Sequence, residues 1–237
     1  MPQSSEPAPT LVVRVARRIP YARRVAHRFF DWRDRQRRTV KNITRKNTLR
    51  AYDRVYGSDS LLAEYRAPVR IAFYEEVAER CAARRPQRVV DVGCGTGDLL
   101  GLLVERTTPP PELVVGIDHS RAGIDRARAA LPDARWLVAD LYSLPPDLGR
   151  FDLVLCTEVL EHVHDAQAAV DVLCRLCAQD GVVAITVPDG ALDSWEGHVN
   201  FWDEDQLRAF LEPFGQVEIE RVDGGASFLA WLAPTVR

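Results

Sequence analysis

The stretch that decides the fold is RVVDVGCGTGDLL, which covers residues Arg88–Leu100. Its first five residues form a short run rich in β-branched side chains, which is typical of a buried strand. Three glycines at every second position then precede a leucine-rich segment that predicts a helix opening at Asp98 or Leu99. The stretch therefore predicts a glycine-rich turn at the carboxyl end of a strand, which is the edge where open α/β sheets bind ligands.

The same alternation of short apolar runs and helical segments continues beyond Pro86 and predicts βαβ units on a parallel sheet. The predicted strands are Arg88–Val92, Leu113–Ile117, Arg135–Ala139, Phe151–Cys156, Val182–Val187, Val217–Val222 and Ser227–Leu232. We therefore expect an α/β fold, with a doubly wound, seven-stranded Rossmann-like sheet over residues 86–237.

The first 85 residues differ in composition from the rest. Residues 1–10 are rich in Pro and Ser and predict a disordered tail. Residues 11–85 mix arginine with apolar residues at helical spacing, which predicts a basic helical cap or lid. Within it, residues 61–85 predict one amphipathic helix. Residues 1–60 contain 15 Lys or Arg against five Asp or Glu, a net charge of +10, whereas the remainder carries −13.

Two interpretations of this basic arm stay open. Clustered cations attract phosphates, so the arm is suited to RNA, anionic lipid or an acidic acceptor. It is equally suited to covering the ligand edge, in which case Tyr52, Tyr56 and Tyr65 are the residues expected over the pocket. The 29 Arg and two Lys of the chain indicate a general preference for arginine, so basicity alone says little about a partner. We favour the lid.

The composition restricts the class of protein to which the chain can belong. A chain of 237 residues with 46% hydrophobic residues can build a sizeable core. No apolar run approaches the roughly 20 residues of a membrane span, and the amino terminus lacks the pattern of a signal peptide, so we expect a soluble cytoplasmic protein. Five scattered cysteines indicate reduced thiols. Cys174 and Cys177 form one C-x-x-C in a segment that predicts a helix, where packing is the expected role.

Acidic residues end the second and third predicted strands. The Asp118 carboxylate can accept hydrogen bonds from both hydroxyls of a ribose. Asp140 can accept one from an adenine amino group, while the next backbone N–H, at Leu141, donates to the ring; His119 would flank the adenine. The glycine spacing departs from the G-x-G-x-x-G of dinucleotide-binding proteins, and no Lys-Ser or Lys-Thr follows the glycines as in phosphate-binding loops.

This order of motifs resembles the class I S-adenosylmethionine-dependent methyltransferases. The resemblance covers residues 88–232 through VVDVGCGTGDLL, VVGIDHS, RWLVADLYSLP, FDLVLCTEVLEHV and GVVAITVPD. It implies S-adenosylmethionine as the cofactor. It further implies that the amino-acid part of the cofactor is lined by Asp91, Gly93, Cys94, Gly95 and Gly97, its ribose by Asp118, and its adenine by Asp140 and Leu141.

Candidate catalytic residues follow the fourth and fifth predicted strands. In CTEVLEHVHD, Glu158, Glu161 and His162 are spaced i, i+3, i+4 and share one face if the segment is helical. With His198 they resemble the two-glutamate, one-histidine arrangement of ubiquinone-pathway O-methyltransferases. They also resemble the two-glutamate, two-histidine magnesium site of small-RNA 2′-O-methyltransferases. The resemblance implies a site for Mg²⁺ or another divalent cation; the alternatives are a histidine acting without metal and a structural role.

The sequence thus predicts methyl transfer to an O or N atom of a small-molecule acceptor, with natural products among the candidates. Trp195, Phe201 and Trp202 are expected to wall the acceptor pocket. One alternative is a metal-assisted RNA 2′-O-methyltransferase that uses the basic arm as its nucleic-acid platform. A rival of another class is a non-catalytic regulator that binds the cofactor or docks on a membrane through the arm.

Overall fold

The computed structural model describes residues 47–195 and 197–235. The predicted tail and residues 11–46 of the basic arm therefore lie outside the described residues. One sheet holds seven strands: β1 (Arg88–Val92), β2 (Leu113–Asp118), β3 (Arg135–Val138), β4 (Phe151–Thr157), β5 (Cys177–Pro188), β6 (Gly215–Val222) and β7 (Ser227–Pro234). The strand order is β3-β2-β1-β4-β5-β7-β6.

The pairing of the strands confirms the predicted doubly wound sheet. The first five strands pair in parallel, and β7 lies antiparallel between β5 and β6. Every predicted strand is present. The largest difference is at β5, which starts at Cys177 opposite Phe151 rather than at Val182. Because parallel strands all end at one edge, the glycine turn and the acidic residues after β2 and β3 come together there.

The structure describes seven helices: α1 (Leu49–Gly57), α2 (Asp59–Tyr65), α3 (Pro68–Ala82), α4 (Asp98–Arg106), α5 (Arg121–Ala130), α6 (Ala166–Leu176) and α7 (Glu204–Leu211). Helices α3, α4 and α5 contribute to one buried cluster, and α6 and α7 to the other. Successive residues of β1 alternate between the clusters, since Val89 belongs to the first and Val90 to the second. Helices thus cover both faces of the sheet.

Two details of the helix predictions are wrong. Residues 61–85 do not form one helix, because α2 ends at Tyr65 and α3 begins at Pro68. Proline lacks an N–H and disfavours helical backbone at the preceding residue, and Ala67 is extended, with φ −52° and ψ 148°. The predicted helix around the C-x-x-C ends at Leu176, so Cys177 lies on a strand. Cys177 is buried and Cys174 is half-buried.

No helix among residues 47–195 and 197–235 has both the length and the apolar character that a bilayer span requires.

Two glycines give a matched test of packing. A Cβ on Gly116 of β2 would overlap the Trp136 ring, whereas one on Gly101 of α4 would meet nothing within 4 Å. We expect Gly116→Ala to lower the free energy of unfolding by about 1–3 kcal/mol through overpacking. Gly101→Ala should raise it by roughly 0.5–1 kcal/mol through helix propensity. Urea denaturation measures both, and equal effects of the two substitutions would contradict the packing at Trp136.

Candidate functional site

A cavity of about 880 Å³ opens at the carboxyl edge of the sheet. Its walls come from helices α1 to α3, from the glycine turn after β1, and from the loops after β2, β3, β4 and β5. A volume of this size lies within the roughly 300–1,000 Å³ of ligand pockets in proteins. The predicted catalytic residues and all of the predicted cofactor residues except Gly97 therefore line one cavity.

The glycine turn forms the floor of one end of the cavity. Gly93 and Gly95 have φ values of 90° and 53°, which favour glycine. A Cβ on Gly95 would lie 3.0 Å from the Tyr56 hydroxyl, and one on Gly93 would overlap Val159. Gly97 is not among the residues that line the cavity; it caps α4 and packs against Trp136.

Asp118 ends β2 beside this turn and is only 9% exposed. Its Oδ2 accepts a hydrogen bond from the Gly95 N–H at 2.9 Å, and its Oδ1 accepts one from the Ser120 N–H at 2.7 Å. Burial raises the pKa of the Asp118 carboxyl, and the two backbone hydrogen bonds oppose the rise. The carboxylate is thus held rigidly, with part of its accepting capacity unused.

Asp91 and Asp140 flank Asp118 on the neighbouring strands. Asp91 is 1% exposed, and its Oδ1 has no hydrogen-bond partner among the described residues. Burial, and next the charge of Asp118, raise the pKa of Asp91 to about 7. Asp140 is exposed and accepts a hydrogen bond from the Tyr142 N–H at 2.8 Å, which starts a short turn at Leu141.

Helix α1 covers this end of the cavity. The Tyr52 ring lies 5.3 Å from the His119 ring, measured between centroids. The Asp53 carboxylate accepts hydrogen bonds from the Ser120 hydroxyl at 2.6 Å and the Ala122 N–H at 3.2 Å. The Ser120 hydrogen bond is the main cause of the lowered pKa of Asp53. Sequence reasoning missed Asp53, because one acid in a basic arm carries no periodic signal.

Three of the predicted catalytic residues converge at the other end of the cavity. Glu161 is 1% exposed, and neither of its carboxyl oxygens has a hydrogen-bond partner among the described residues. Its Oε1 lies 3.7 Å from Nε2 of His162 and 4.0 Å from Nε2 of His198. The Nδ1 atom of His198 lies 2.5 Å from Oδ2 of Asp193, which fixes the orientation of that ring.

The backbone around these residues differs from the helix considered for CTEVLEHVHD. Only Leu160–His162 forms a short 3₁₀ turn, and Glu158 has a positive φ of 54°. The Glu158 carboxylate accepts a hydrogen bond from the Thr186 hydroxyl at 3.1 Å, and burial raises its pKa. Glu158 lines the cavity but does not belong to the cluster of Glu161, His162 and His198. The cluster thus depends on the turn and on the β5 loop, not on helical spacing.

Burial decides the charges in this cluster. It is the main cause that lowers the pKa of His162, to about 3, and the neighbouring His198 adds to the effect. It also raises the pKa of Glu161 well above its ordinary value, and the charge of Glu158 raises it further. His162 is therefore neutral at physiological pH, beside a carboxyl that holds its proton more tightly than usual.

Aromatic residues close the remaining walls. The Trp195 ring lies 5.4 Å from the His162 ring and 4.8 Å from the His198 ring. Phe201 and Trp202, also expected at the wall, are not among the lining residues. The Trp202 ring instead packs 5.2 Å from Phe210 of α7. Only Trp195 of the three contributes to the cavity.

Arg70 of α3 is the guanidinium among the residues that line the cavity. It stacks over the Tyr65 ring, 4.5 Å from the centroid. Within the described part of the chain, no acidic side chain forms an ion pair with it. The sequence could not single out Arg70, because it is one arginine of 29. Its position leaves a positive charge available to an anionic group in the cavity.

Comparison with known proteins identifies the family. Residues 62–221 match the family model described as a methyltransferase domain. The chain belongs to this methyltransferase family. A trans-aconitate 2-methyltransferase of Variovorax paradoxus (strain S110) is 36% identical over 152 residues, which are 60% of this chain and 58% of that protein. A ubiquinone biosynthesis O-methyltransferase of Coxiella burnetii (strain Dugway 5J108-111) is 33% identical over 107 residues, 44% of this chain and 42% of that protein.

The fold of this methyltransferase-family chain is also found in solved structures. The N-methyltransferase NodS of Bradyrhizobium japonicum WM9, in complex with S-adenosyl-L-homocysteine, superposes with a TM-score of 0.63 at 17% identity. The match covers 80% of this chain and 100% of NodS. The alignments with the two curated relatives span about half the length of those proteins.

The buried Asp91 predicts a pH dependence of stability. Its pKa of about 7 in the folded protein exceeds the ordinary value of 3.8. The folded state therefore keeps a proton that the unfolded state loses, so this residue costs stability as the pH rises from about 4 to 7. As the pH rises from 5 to 8, we expect the free energy of unfolding of Asp91→Asn to increase by at least about 1 kcal/mol relative to that of the wild type.

Urea denaturation at a series of pH values measures this difference. Asp125→Asn, which changes an exposed acid on α5, is the control and should follow the wild-type profile. A wild-type profile parallel to that of Asp91→Asn would contradict the raised pKa.

Proposed function

We propose that the chain is an S-adenosylmethionine-dependent methyltransferase that acts on an O or N atom of a small-molecule acceptor. The observation that carries the proposal is that one cavity joins the glycine turn and its strand-end acids to the buried cluster of Glu161, His162 and His198. Family membership supports the reaction class. The names of the two curated relatives and of NodS support S-adenosylmethionine and a small acceptor.

The residues at the glycine end fit this cofactor. The two lining glycines allow the positive φ of the turn and the close approach of Val159 and Tyr56, which shape this end of the cavity. In our proposal, the carboxylate of Asp118 accepts hydrogen bonds from the ribose hydroxyls through its unused lone pairs. Asp140 accepts a hydrogen bond from the adenine amino group, and the Leu141 N–H donates one to the adenine ring. The Oδ1 atom of Asp91 accepts a hydrogen bond from the ammonium group of the methionine part, and the guanidinium of Arg70 forms an ion pair with the carboxylate of that part. When bound, the cofactor supplies a methyl group activated by a sulfonium charge.

The residues at the other end are suited to orient an acceptor and to receive its proton. Because burial raises the pKa of Glu161, its carboxylate is a stronger base than that of an ordinary glutamate. His162 remains neutral and presents a ring nitrogen to the acceptor. Asp193 orients His198, and Trp195 excludes water from the same region. Positioning and desolvation are the main requirements of an in-line methyl transfer.

We propose that the cap predicted over residues 11–85 acts as a lid and that its helix α1 covers the cofactor end of the cavity. The Asp53 hydrogen bonds dock α1 on the start of α5. Arg66, just after α2, forms a two-contact ion pair with Asp98 at the start of α4, at 2.7 and 2.9 Å. These contacts hold Tyr52, Tyr56 and Tyr65 against the cavity.

The charges of the cavity favour a small molecule over RNA. Seven carboxyl groups and one guanidinium are among the described residues that line it, and an acidic wall repels phosphodiesters. The RNA and membrane alternatives rest on the basic arm, and residues 11–46 of that arm, which contain most of its excess positive charge, lie outside the described residues. Those alternatives, and the cytoplasmic location, stay predictions from the sequence. Family membership and a base placed beside the cofactor edge favour an enzyme over a non-catalytic regulator.

Metal-assisted methyl transfer is the second candidate, favoured by the spacing of three ligand atoms. One atom each of Glu161, His162 and His198 lie within 4.8 Å of one another. Ligand atoms at about 2.0–2.2 Å from one ion are about 3.3–3.6 Å apart in a tetrahedral site and at most about 4.4 Å apart, so the cluster would contract by between a few tenths of an ångström and about 1.5 Å. Two imidazoles and one carboxylate suit Mn²⁺ or Zn²⁺ better than Mg²⁺. An ion would lower the pKa of an acceptor hydroxyl.

Calorimetry with S-adenosylmethionine tests the cofactor site. Asp118→Ala should weaken binding by about 2 kcal/mol or more, because it removes charge-assisted hydrogen bonds to the ribose. Arg70→Gln should also weaken binding. Asp125→Ala, at an exposed position of α5 that does not line the cavity, should leave the affinity unchanged. Absence of binding by the wild type, or wild-type affinity in Asp118→Ala, would contradict the proposal.

A chelator separates the two candidates. With labelled cofactor and a small-metabolite extract, we expect methyl transfer to continue in EDTA and to fall by about 100-fold or more in His162→Ala, in the range of positioned acid–base groups. Loss of transfer in EDTA, with recovery on adding Mn²⁺ or Mg²⁺, would establish the metal-assisted reaction instead. Glu161→Ala should then fail with every added metal.

A further inference from the structure

The short turn that carries Glu161 and His162 to the cavity presents four consecutive backbone oxygens, those of residues 160–163. This segment belongs to no strand and to no α-helix, so regular secondary structure does not supply its hydrogen bonds. A buried backbone oxygen without a donor lowers the free energy of unfolding, and folded proteins rarely leave one unpaired. The donors for this turn must therefore come from side chains or from other loops.

Asn200, in the loop after β5, supplies donors to both ends of the turn. Its Nδ2 donates to the backbone oxygen of Leu160 at 2.8 Å and to that of Val163 at 2.7 Å. The backbone N–H groups of Val199 and Asn200 donate to the backbone oxygen of Glu161, at 2.7 and 3.2 Å. One asparagine side chain thus spans the turn, while the backbone beside it holds the middle.

Asn47, which directly precedes the N-cap of α1, supplies the donor for the remaining oxygen. Its Nδ2 donates to the backbone oxygen of His162 at 3.2 Å and to that of Gly197 at 2.6 Å. An amide oxygen in that place would face two carbonyl oxygens, so the nitrogen must occupy it. Asn47 therefore joins the turn after β4 to the loop after β5, at the residue before His198.

Helix α1 connects this contact to the glycine end of the cavity. Asp53, six residues after Asn47, accepts hydrogen bonds from the Ser120 hydroxyl at 2.6 Å and the Ala122 N–H at 3.2 Å. At about 1.5 Å per residue, the two contacts lie on the order of 9 Å apart along the helix. The same segment of the cap is thus anchored at both ends of the cavity.

We propose that Asn47 and Asn200 are positioning residues, which hold the buried cluster beside the turn in the geometry that methyl transfer requires. The inference rests on the proposed function and adds two residues to it. Neither side chain needs to touch the acceptor, because both act through backbone oxygens. The inference holds for transfer with or without an ion, since both reactions need the same cluster. Because Asn47 belongs to the cap, the turn is fully held only while α1 is docked.

Alanine at each asparagine tests the inference. The full-length variants Asn47→Ala and Asn200→Ala are assayed with S-[methyl-³H]adenosylmethionine and a small-metabolite extract. We expect the maximal rate to fall by about 10- to 100-fold, because a displacement of about 1 Å at the reacting groups can cost that much. The S-adenosylmethionine concentration at half-maximal rate and the calorimetric affinity should stay those of the wild type, which also shows that the variants fold.

Gln206 of α7 offers a matched control. Its Oε1 accepts a hydrogen bond from the Asp203 N–H at 3.1 Å, and it does not line the cavity. Gln206→Ala removes a hydrogen bond between side chain and backbone, as the asparagine variants do, and should lower stability while the rate of transfer stays normal. A loss of transfer equal to that of the asparagine variants would overturn the inference, because a general loss of stability would then explain all three.

A double variant separates positioning from a general structural role. If Asn47 acts through the turn, its effect depends on the side chain that the turn presents. We therefore expect Asn47→Ala to lower the rate far less in the His162→Ala background than in the wild type. The same fold-loss in both backgrounds would overturn the inference.

Normal transfer by both asparagine variants would overturn it as well. If Asn200→Ala loses its affinity for S-adenosylmethionine, the variant does not fold and Asn47→Ala decides the result. Failure of the wild type to bind S-adenosylmethionine is a separate outcome, since it would overturn the proposed function itself.

Discussion

The ligand edge of this methyltransferase-family chain depends on the position of one carboxylate, that of Asp118. Its two oxygens accept hydrogen bonds from the backbone of Gly95 and of Ser120, so it joins the glycine turn after β1 to the start of α5. The hydroxyl of Ser120 in turn donates to Asp53 of α1. A single buried group thus sets the relative positions of the turn, the end of β2 and the helix that covers them.

The same edge of the sheet contains unpaired buried polar atoms and strained backbone, both of which lower the free energy of unfolding. Asp91 and Glu161 bury carboxyl oxygens without partners among the described residues, and Glu158 adopts a positive φ that side chains rarely take. Strain and unpaired polar groups of this kind each cost on the order of 1–3 kcal/mol and concentrate at functional sites. The large buried core on both faces of the sheet offsets these costs. Ligand binding would remove part of them, which links stability to occupancy.

The two ends of the cavity are built in different ways. The glycine end is formed by backbone conformation and by strand ends, whose positions follow from the register of the sheet. The other end is formed by side chains on loops after β4 and β5, which are held by local contacts such as that of His198 with Asp193. Loops vary more readily than a sheet. The glycine end can therefore stay constant in a family while the other end changes.

The sequence by itself determined the strands, the glycine turn and the acids at the ends of β1 to β3, because hydrophobic runs and glycine spacing are local signals and parallel strands share an edge. Pro68 also marks the break between α2 and α3 in the sequence, although the apolar spacing of residues 61–85 predicts one continuous helix. Tertiary packing alone separates Glu158 from the cluster of Glu161, His162 and His198, brings Asn47 and Arg70 to the cavity, and docks Asp53 on Ser120. Those residues lie far from the motifs in the chain, and the paths of helices and loops are decided by packing across the whole core, for which no single segment carries a signal.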